Sequence, residues 1–243
     1  MWSNTDLDWL HINYPDLERR EDGVIEGRLS FQMLHINGRH LIKPSSTEVA
    51  AHVVNGIYLC DTYQIKITWY EGAHYPQVIE CSSKILKVAK RFGIKPIDVH
   101  LYPNGTFCLA SWQDLIKRFE NSFSLEIFFY EYLIPFLFSQ TYFSIHKKWP
   151  WGELNHGCWG LLEWLSRQKK FDQKDIRRTA FWAAQNAGPE LTRKLFLTRC
   201  RDHKPCPCGS RRKTRECHPD ITTAISLIRG AISRGAFSID NLI

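Results

Sequence analysis

The chain has no Gly-rich loop of the kind that cradles phosphates, so no adenylating domain is expected in it. It has no internal repeat and no low-complexity linker. Its first residues, Met1-Trp2-Ser3-Asn4-Thr5-Asp6, hold neither the basic stretch nor the apolar stretch of a secretory signal. A long apolar run free of charge is also missing. The most apolar window, Phe123 to Phe143, contains Glu126, Glu131 and Pro135 and is mostly aromatic, which reads as a buried helix and not a membrane span. Finally, acidic residues are scarce between Leu191 and His218, where only Asp202 and Glu216 face nine Lys/Arg. That excess equals the net charge of +7 of all 243 residues, so residues 1–190 are close to neutral. A basic patch of this kind suits an acidic partner, nucleic acid included, or is simply a solvated face.

What is present is ordinary globular material. The composition is 44% hydrophobic and 23% charged, which excludes disorder over the whole length. Eight Cys without an export signal point to a reducing, cytoplasmic setting and to thiol or metal chemistry.

Periodicity gives an α+β chain. Residues 5–20 read as a helix interrupted near Pro15, and four antiparallel strands fit between Gly23 and Ile79. Ser83 to Phe92 is a short amphipathic helix stopped by Gly93. Longer helices are expected at about 113–120, 123–143 and 157–169. Further on, 175–185 is helical, Gly188-Pro189 breaks it, and a last helix buries Ile221, Ala224, Ile225, Ile228, Ala231 and Ile232. The change of texture at Phe171 predicts domains at 1–170 and 171–243.

Two constellations carry chemistry. The first is Cys206-Pro207-Cys208-Gly209-Ser210, followed by basic residues and Cys217-His218. Three thiols and an imidazole in so short a span match the four soft or borderline ligands that Zn2+ takes in a tetrahedron. Cys200 and His203 are spare candidates. The pattern resembles the SEC-C motif, a small zinc-binding module at chain ends that mediates binding to proteins or nucleic acid. Cys206, Cys208, Ser210, Cys217 and His218 all match it.

The second is His100-Leu101-Tyr102-Pro103-Asn104-Gly105-Thr106-Phe107-Cys108-Leu109. Asn-Gly makes a tight turn and sets Cys108 just beyond it. A thiol there is either a structural core residue or an exposed nucleophile able to form thioesters. His100 is either a base aimed at that thiol or a brace for the loop. Asn104 belongs to the turn and is the nearest amide to an oxyanion. Cys60 and Cys81 read as core, and His156 and Cys158 as packing residues.

This segment, after a helix, strands and Tyr75-Pro76, resembles the active-site region of the ubiquitin-conjugating (UBC) enzymes. The eukaryotic His-Pro-Asn is absent. The spacing is that of the divergent bacterial branch, and Glu153-Leu154-Asn155-His156-Gly157 is similar to a His-Gly segment of that branch. The resemblance implies a UBC-like fold with Cys108 as the thioester residue and His100 and Asn104 beside it. It also implies a role in CBASS-type antiphage operons, with the C-terminus of a cGAS-like nucleotidyltransferase as the conjugated protein and no membrane partner. The other readings are an inactive UBC-like binding module, or an adaptor that binds nucleic acid or protein through the basic tail.

Overall fold

A computed structural model describes residues 2–52, 54–152, 154–198 and 200–242. Glu153 and Arg199, which belong to two of the segments named above, lie outside them. The chain is α+β and divides into two compact units, Met1–Gly152 and Glu153–Ile243.

The first unit opens with α1 (Asn4–Asn13), started by a capping box in which Ser3 and Asp6 satisfy each other's backbone N–H. The other carboxylate oxygen of Asp6 accepts from Leu125 N at 2.7 Å, so one side chain caps two helices far apart in sequence. The expected continuation to residue 20 does not occur. Pro15 pushes Tyr14 out of the helical region, and Leu17–Arg19 becomes a short strand, β1. It lies close to β2 (Ile25–Ile36) because Gly27, at φ +145°, has no Cβ; one there would sit 2.1 Å from the Asp16 carbonyl oxygen.

The strands β3 (Arg39–Ile42), β4 (Ile57–Thr68) and β5 (Gln77–Glu80) complete a five-stranded antiparallel sheet in which β2 and β4 pair along most of their length. One strand more than expected is thus present. A short helix, α2 (Ser46–His52), joins β3 to β4 and buries none of its residues.

Strand parity sorts β4. Tyr63, Ile65 and Ile67 point into the core, while Cys60 faces out with Thr62 and Gln64. Cys60 and, past the end of β5, Cys81 are therefore exposed and not core residues as expected. The amphipathic helix α3 (Lys84–Phe92) ends at Gly93 with φ +66°, as its sequence indicates.

The core is closed by helices. α4 (Trp112–Phe119) is followed by α5 (Leu125–Phe128), a wide turn at Phe129–Leu133, and α6 (Ile134–His146). The wide turn has a cause: Pro135 offers no N–H and its ring crowds the carbonyl of Glu131. The helix loosens one turn earlier, where Ile134 N–H bonds the Phe129 carbonyl five residues back. This apolar segment is buried in the core, with Phe128, Phe129 and Phe138 fully enclosed. No helix among the described residues is long and apolar enough to cross a membrane.

The second unit is helical. α7 (Gly157–Arg167) packs on α8 (Gln173–Leu197) and on α10 (Ile221–Ser233), and α9 (Thr214–Cys217) is a single turn. Gly188 (φ +76°, ψ 168°) breaks α8 ahead of Pro189, at the expected place.

The boundary therefore falls at residue 152 and not near Phe171. The reason is that α7 buries Leu161, Leu162, Trp164 and Leu165 among the helices that follow it. A fragment ending at residue 152 is expected to be soluble and to melt cooperatively. One ending at 170 strands those four apolar side chains in water and is expected to self-associate. Size-exclusion chromatography with a thermal melt of both fragments separates the two boundaries; equal behaviour would favour neither.

Candidate active-site loop and metal centre

Residues 96–110 form a loop fastened at several points. A 3-10 turn at Pro96–Val99 precedes His100, which adopts φ +57° and closes that turn with its own N–H. The Val99 carbonyl accepts from the buried Gln140 Nε2 of α6 at 2.9 Å. From Leu101 the chain makes a small hairpin: Leu101 pairs with Phe107, and Tyr102 N–H bonds the Thr106 carbonyl at 2.9 Å. At its tip, Asn104 Oδ1 accepts from Thr106 N–H at 3.1 Å and from the Thr106 hydroxyl at 2.7 Å, while Gly105 takes φ +81°. The side chain of Asn104 is thus engaged in holding the turn.

The return strand lies along β5. Thr106 pairs with Ile79, Phe107 N–H bonds the Val78 carbonyl at 2.8 Å, and the Phe107 ring stacks on Phe136 of α6 at 4.6 Å. Cys108 follows, its N–H bonded to the His100 carbonyl at 2.8 Å. The two sequence-predicted residues are therefore joined through the backbone, and the His100 ring packs on Trp149 with centroids 4.7 Å apart.

Cys108 is half-buried in a cleft of about 420 Å³ whose walls include Tyr75, Pro76, Tyr102 and Asn104. Burial pushes its thiol above the ordinary range, and a hydrogen bond with the Tyr102 hydroxyl pulls it part of the way back. The Tyr102 hydroxyl is held protonated by burial and by the negative charge that Cys108 carries when ionised. Tyr102 lines the same cleft as the sulfur and favours the ionised thiol. Sequence inspection did not single it out.

Tyr102→Phe should remove that donor and raise the thiol pKa further. At neutral pH, alkylation of Cys108 by iodoacetamide should slow by roughly 2- to 10-fold, the worth of one hydrogen bond. Mass spectrometry of the alkylated peptide reads this directly. An unchanged rate would mean that the hydroxyl does not act on the thiolate.

The second unit holds the other constellation. Residues 204–206 run antiparallel to 212–214: Cys206 N–H bonds the Arg212 carbonyl at 2.7 Å, and Thr214 N–H bonds that of Lys204 at 3.0 Å. Gly209, at φ +85°, turns the chain between the two arms. α9 then brings Cys217 and His218 back over the first two thiols. Cys206 Sγ lies 3.2 Å from His218 Nδ1 and Cys208 Sγ 3.5 Å from Cys217 Sγ, and all four donor atoms fall within 4.8 Å of one another. A tetrahedral site with bonds of about 2.0–2.3 Å has edges of roughly 3.5–3.8 Å, so this group can hold a metal ion.

Without an ion the donors of the group titrate apart. Burial lowers the His218 pKa, keeping the imidazole neutral and able to coordinate. Burial also raises Cys206, to about 12, through desolvation reinforced by its thiol neighbours. For Cys208, burial is outweighed by hydrogen bonds, chiefly from Ser210, and its pKa falls to about 7. The Trp159 ring stacks on His218 at 4.6 Å and fixes its plane. Cys200 stands apart, 3.9 Å from the Thr214 hydroxyl, and neither it nor His203 belongs to the four-residue group.

The Asn155-His156-Gly157 segment has a structural basis of its own. Glu163, buried in α7, accepts from the backbone N–H and the side-chain amide of Asn155. The Asn155 carbonyl comes so close to α7 that a Cβ at Gly160 would lie 1.8 Å from its oxygen. Cys158 is buried, with its thiol pushed up by desolvation. No protein-family model, curated protein or solved structure matches the chain.

Proposed function

We propose that the chain is an acyl carrier and transferase of the ubiquitin-conjugating type, with Cys108 as the residue that carries the acyl group. The observation that supports it best is the setting of Cys108 on the return arm of the Asn-Gly hairpin, beside β5 and in a cleft walled by Tyr75-Pro76. The order of helix, antiparallel strands, Tyr-Pro element and Asn-Gly-x-x-Cys-Leu agrees with this reading.

The chemistry has two halves. The Cys108 thiolate attacks the activated carbonyl at the C-terminus of a protein; a thioester forms and the activating group leaves with the electron pair. An amine then attacks the thioester, an amide forms, and the Cys108 sulfur departs as thiolate. In this reading the acyl group is activated by a separate activator, as an acyl-adenylate or thioester, or the substrate reacts without one. In this scheme Tyr102 donates to the sulfur when it is negative, on attack and on departure. The backbone near Asn104 to Phe107 is the candidate source of oxyanion donors, and His100 braces the loop through its carbonyl and the tilted packing of its ring on Trp149.

The conjugated protein proposed is the cGAS-like nucleotidyltransferase of a bacterial antiphage operon, and the compartment the bacterial cytoplasm; both rest on the family resemblance. The metal proposed is Zn2+, since three thiolates and one imidazole in a closed group are the donor set of structural zinc. It would be held by Cys206, Cys208, Cys217 and His218 and would fold the loop around itself, with no part in acyl transfer.

A second reading is a UBC-like module that presents a partner without forming a thioester. The half-buried thiol with its raised pKa favours it. Incubation with the candidate protein and its activator, followed by a non-reducing gel, tells the two apart. A band shift reversed by thiol reductant and mapped to Cys108 supports the carrier. Tight binding with no adduct supports the module.

A further inference from the structure

We infer that the second unit carries a phosphate-recognition pocket, separate from the metal group, that takes the backbone of a nucleic-acid strand. The pocket has a volume of about 680 Å³ and lies between the 200–203 segment and one face of α10. Three guanidinium groups line it, those of Arg201, Arg229 and Arg234, together with the hydroxyls of Thr222, Thr223 and Ser226. Among the described residues none of the three arginines is in an ion pair, and Asp202, the one carboxylate of the lining, is paired with none of them. By contrast, Arg20, Arg28, Arg118 and Arg167 each have an acidic partner.

Three guanidinium groups against one carboxylate in a concavity raise the local potential and favour an anion. Arg234 is seated for this: its Nη1 would lie 3.1 Å from a Cβ at Gly230, so the glycine lets the guanidinium lie close against the helix. Forked guanidinium donors next to hydroxyls suit the tetrahedral oxygens of a phosphate, which they bind bidentately.

The nature of the anion follows from what surrounds the pocket. The lining contains no Phe, Tyr or Trp; the His203 imidazole is its one ring and Leu227 its only aliphatic side chain of any size, so it offers a nucleobase little to stack on. Recognition therefore falls on the phosphate and not on the base. The positive charge also continues beyond the rim. Arg215 N–H bonds the carbonyl of Asp202, which lines the pocket, and Arg211, Arg212 and Lys213 precede it on the same arm, all exposed. A pocket that opens onto a basic track fits a chain of phosphates better than a single free anion.

The test uses the full-length, metal-replete chain and a fluorescein-labelled oligothymidylate of about 16 nucleotides, read by anisotropy over a range of salt concentrations. Wild type should bind with log Kd linear in log salt, losing about 0.7 of slope for each phosphate contact removed. Arg229→Gln/Arg234→Gln should weaken binding at least about tenfold at low salt and lower the slope by about 1.4. Arg229→Lys/Arg234→Lys, which keeps the charge, should retain the slope and so show that any loss is not one of folding. Cys108→Ala should bind as wild type, so failure of the thioester reading leaves this result untouched.

Three outcomes overturn the inference. The first is unchanged affinity and slope in the Gln pair. The second is displacement of the strand by sub-millimolar inorganic phosphate, which would make the site one for a small phosphate. The third is equally tight binding of poly-glutamate, with the same loss in the Gln pair, which would make the partner an acidic protein.

Discussion

Cys108→Ala is expected to abolish acyl transfer completely while leaving the fold intact. Cys108 is the one thiol lining the cleft, so the loss should reach the detection limit and not stop at a partial decrease. Stability should change little. The thiol is half-buried, and its one contact to a carbonyl, that of Ala110, is long at 4.0 Å. A cost of roughly 1 kcal/mol or less is expected in a denaturant titration. Cys108→Ser should be more telling, because an oxyester transfers far less readily than a thioester. A linked species that resists reductant should then accumulate. The wild-type rate should also climb with pH beyond the ordinary thiol range of about 8.5, since burial holds the folded pKa above it. Full transfer activity in Cys108→Ala, or an adduct mapped to Cys158 or Cys60, would remove the carrier reading and leave the binding module.

The second large effect concerns the metal. Purified protein should hold one equivalent of zinc, and Cys208→Ser should lose most of it. A loop this rich in Cys, Gly and charge has little apolar material to bury, so the ion is what orders it; structural zinc contributes on the order of 10 kcal/mol to such segments. Chelation should therefore collapse hydrogen-exchange protection across residues 200–218 while the sheet of the first unit keeps its own. The pH dependence has a definite sign. Coordination needs thiolates and a neutral imidazole, so metal affinity should fall as pH falls. His218, with its lowered pKa, resists protonation below the usual histidine range, and Cys208, near 7, is the first thiol to ionise as pH rises. Acidification should release the ion, and mild alkali should not. Zinc content below half an equivalent, unaffected by Cys208→Ser, would dispose of the site.

Several of these elements can be read directly from the residues. The metal group follows from spacing alone, because four donors in one short loop can reach a common ion whatever the surrounding fold. The stop of α3 at Gly93, the break of α8 at Gly188 and the buried face of α10 follow from local backbone preference and periodicity, which do not depend on tertiary partners. The misses share the opposite property. β1 has three residues and one buried side chain, so no period exists to detect. Cys60 lies in an apolar stretch, yet the parity of β4 turns it outward, and parity becomes clear only once the pairing with β2 sets the register. The tie between Tyr102 and Cys108 needs the hairpin that pairs Leu101 with Phe107. The unit boundary was misplaced because α7 is apolar enough to belong to either side, and only its packing assigns it to the helices that follow.

The segment between β3 and β4 has a practical use. α2 buries none of its residues, and it sits at the Ile57 end of β4, whereas the hairpin carrying Cys108 joins β5 opposite Lys66. Nine residue steps along the strand separate those two positions, about 30 Å at the usual rise. An affinity tag or a fluorophore spliced into residues 46–52 would therefore sit at the far end of the sheet from the thiol. It would give a handle for isolating any adduct of Cys108, or for watching it form by energy transfer, without blocking the cleft around the thiol.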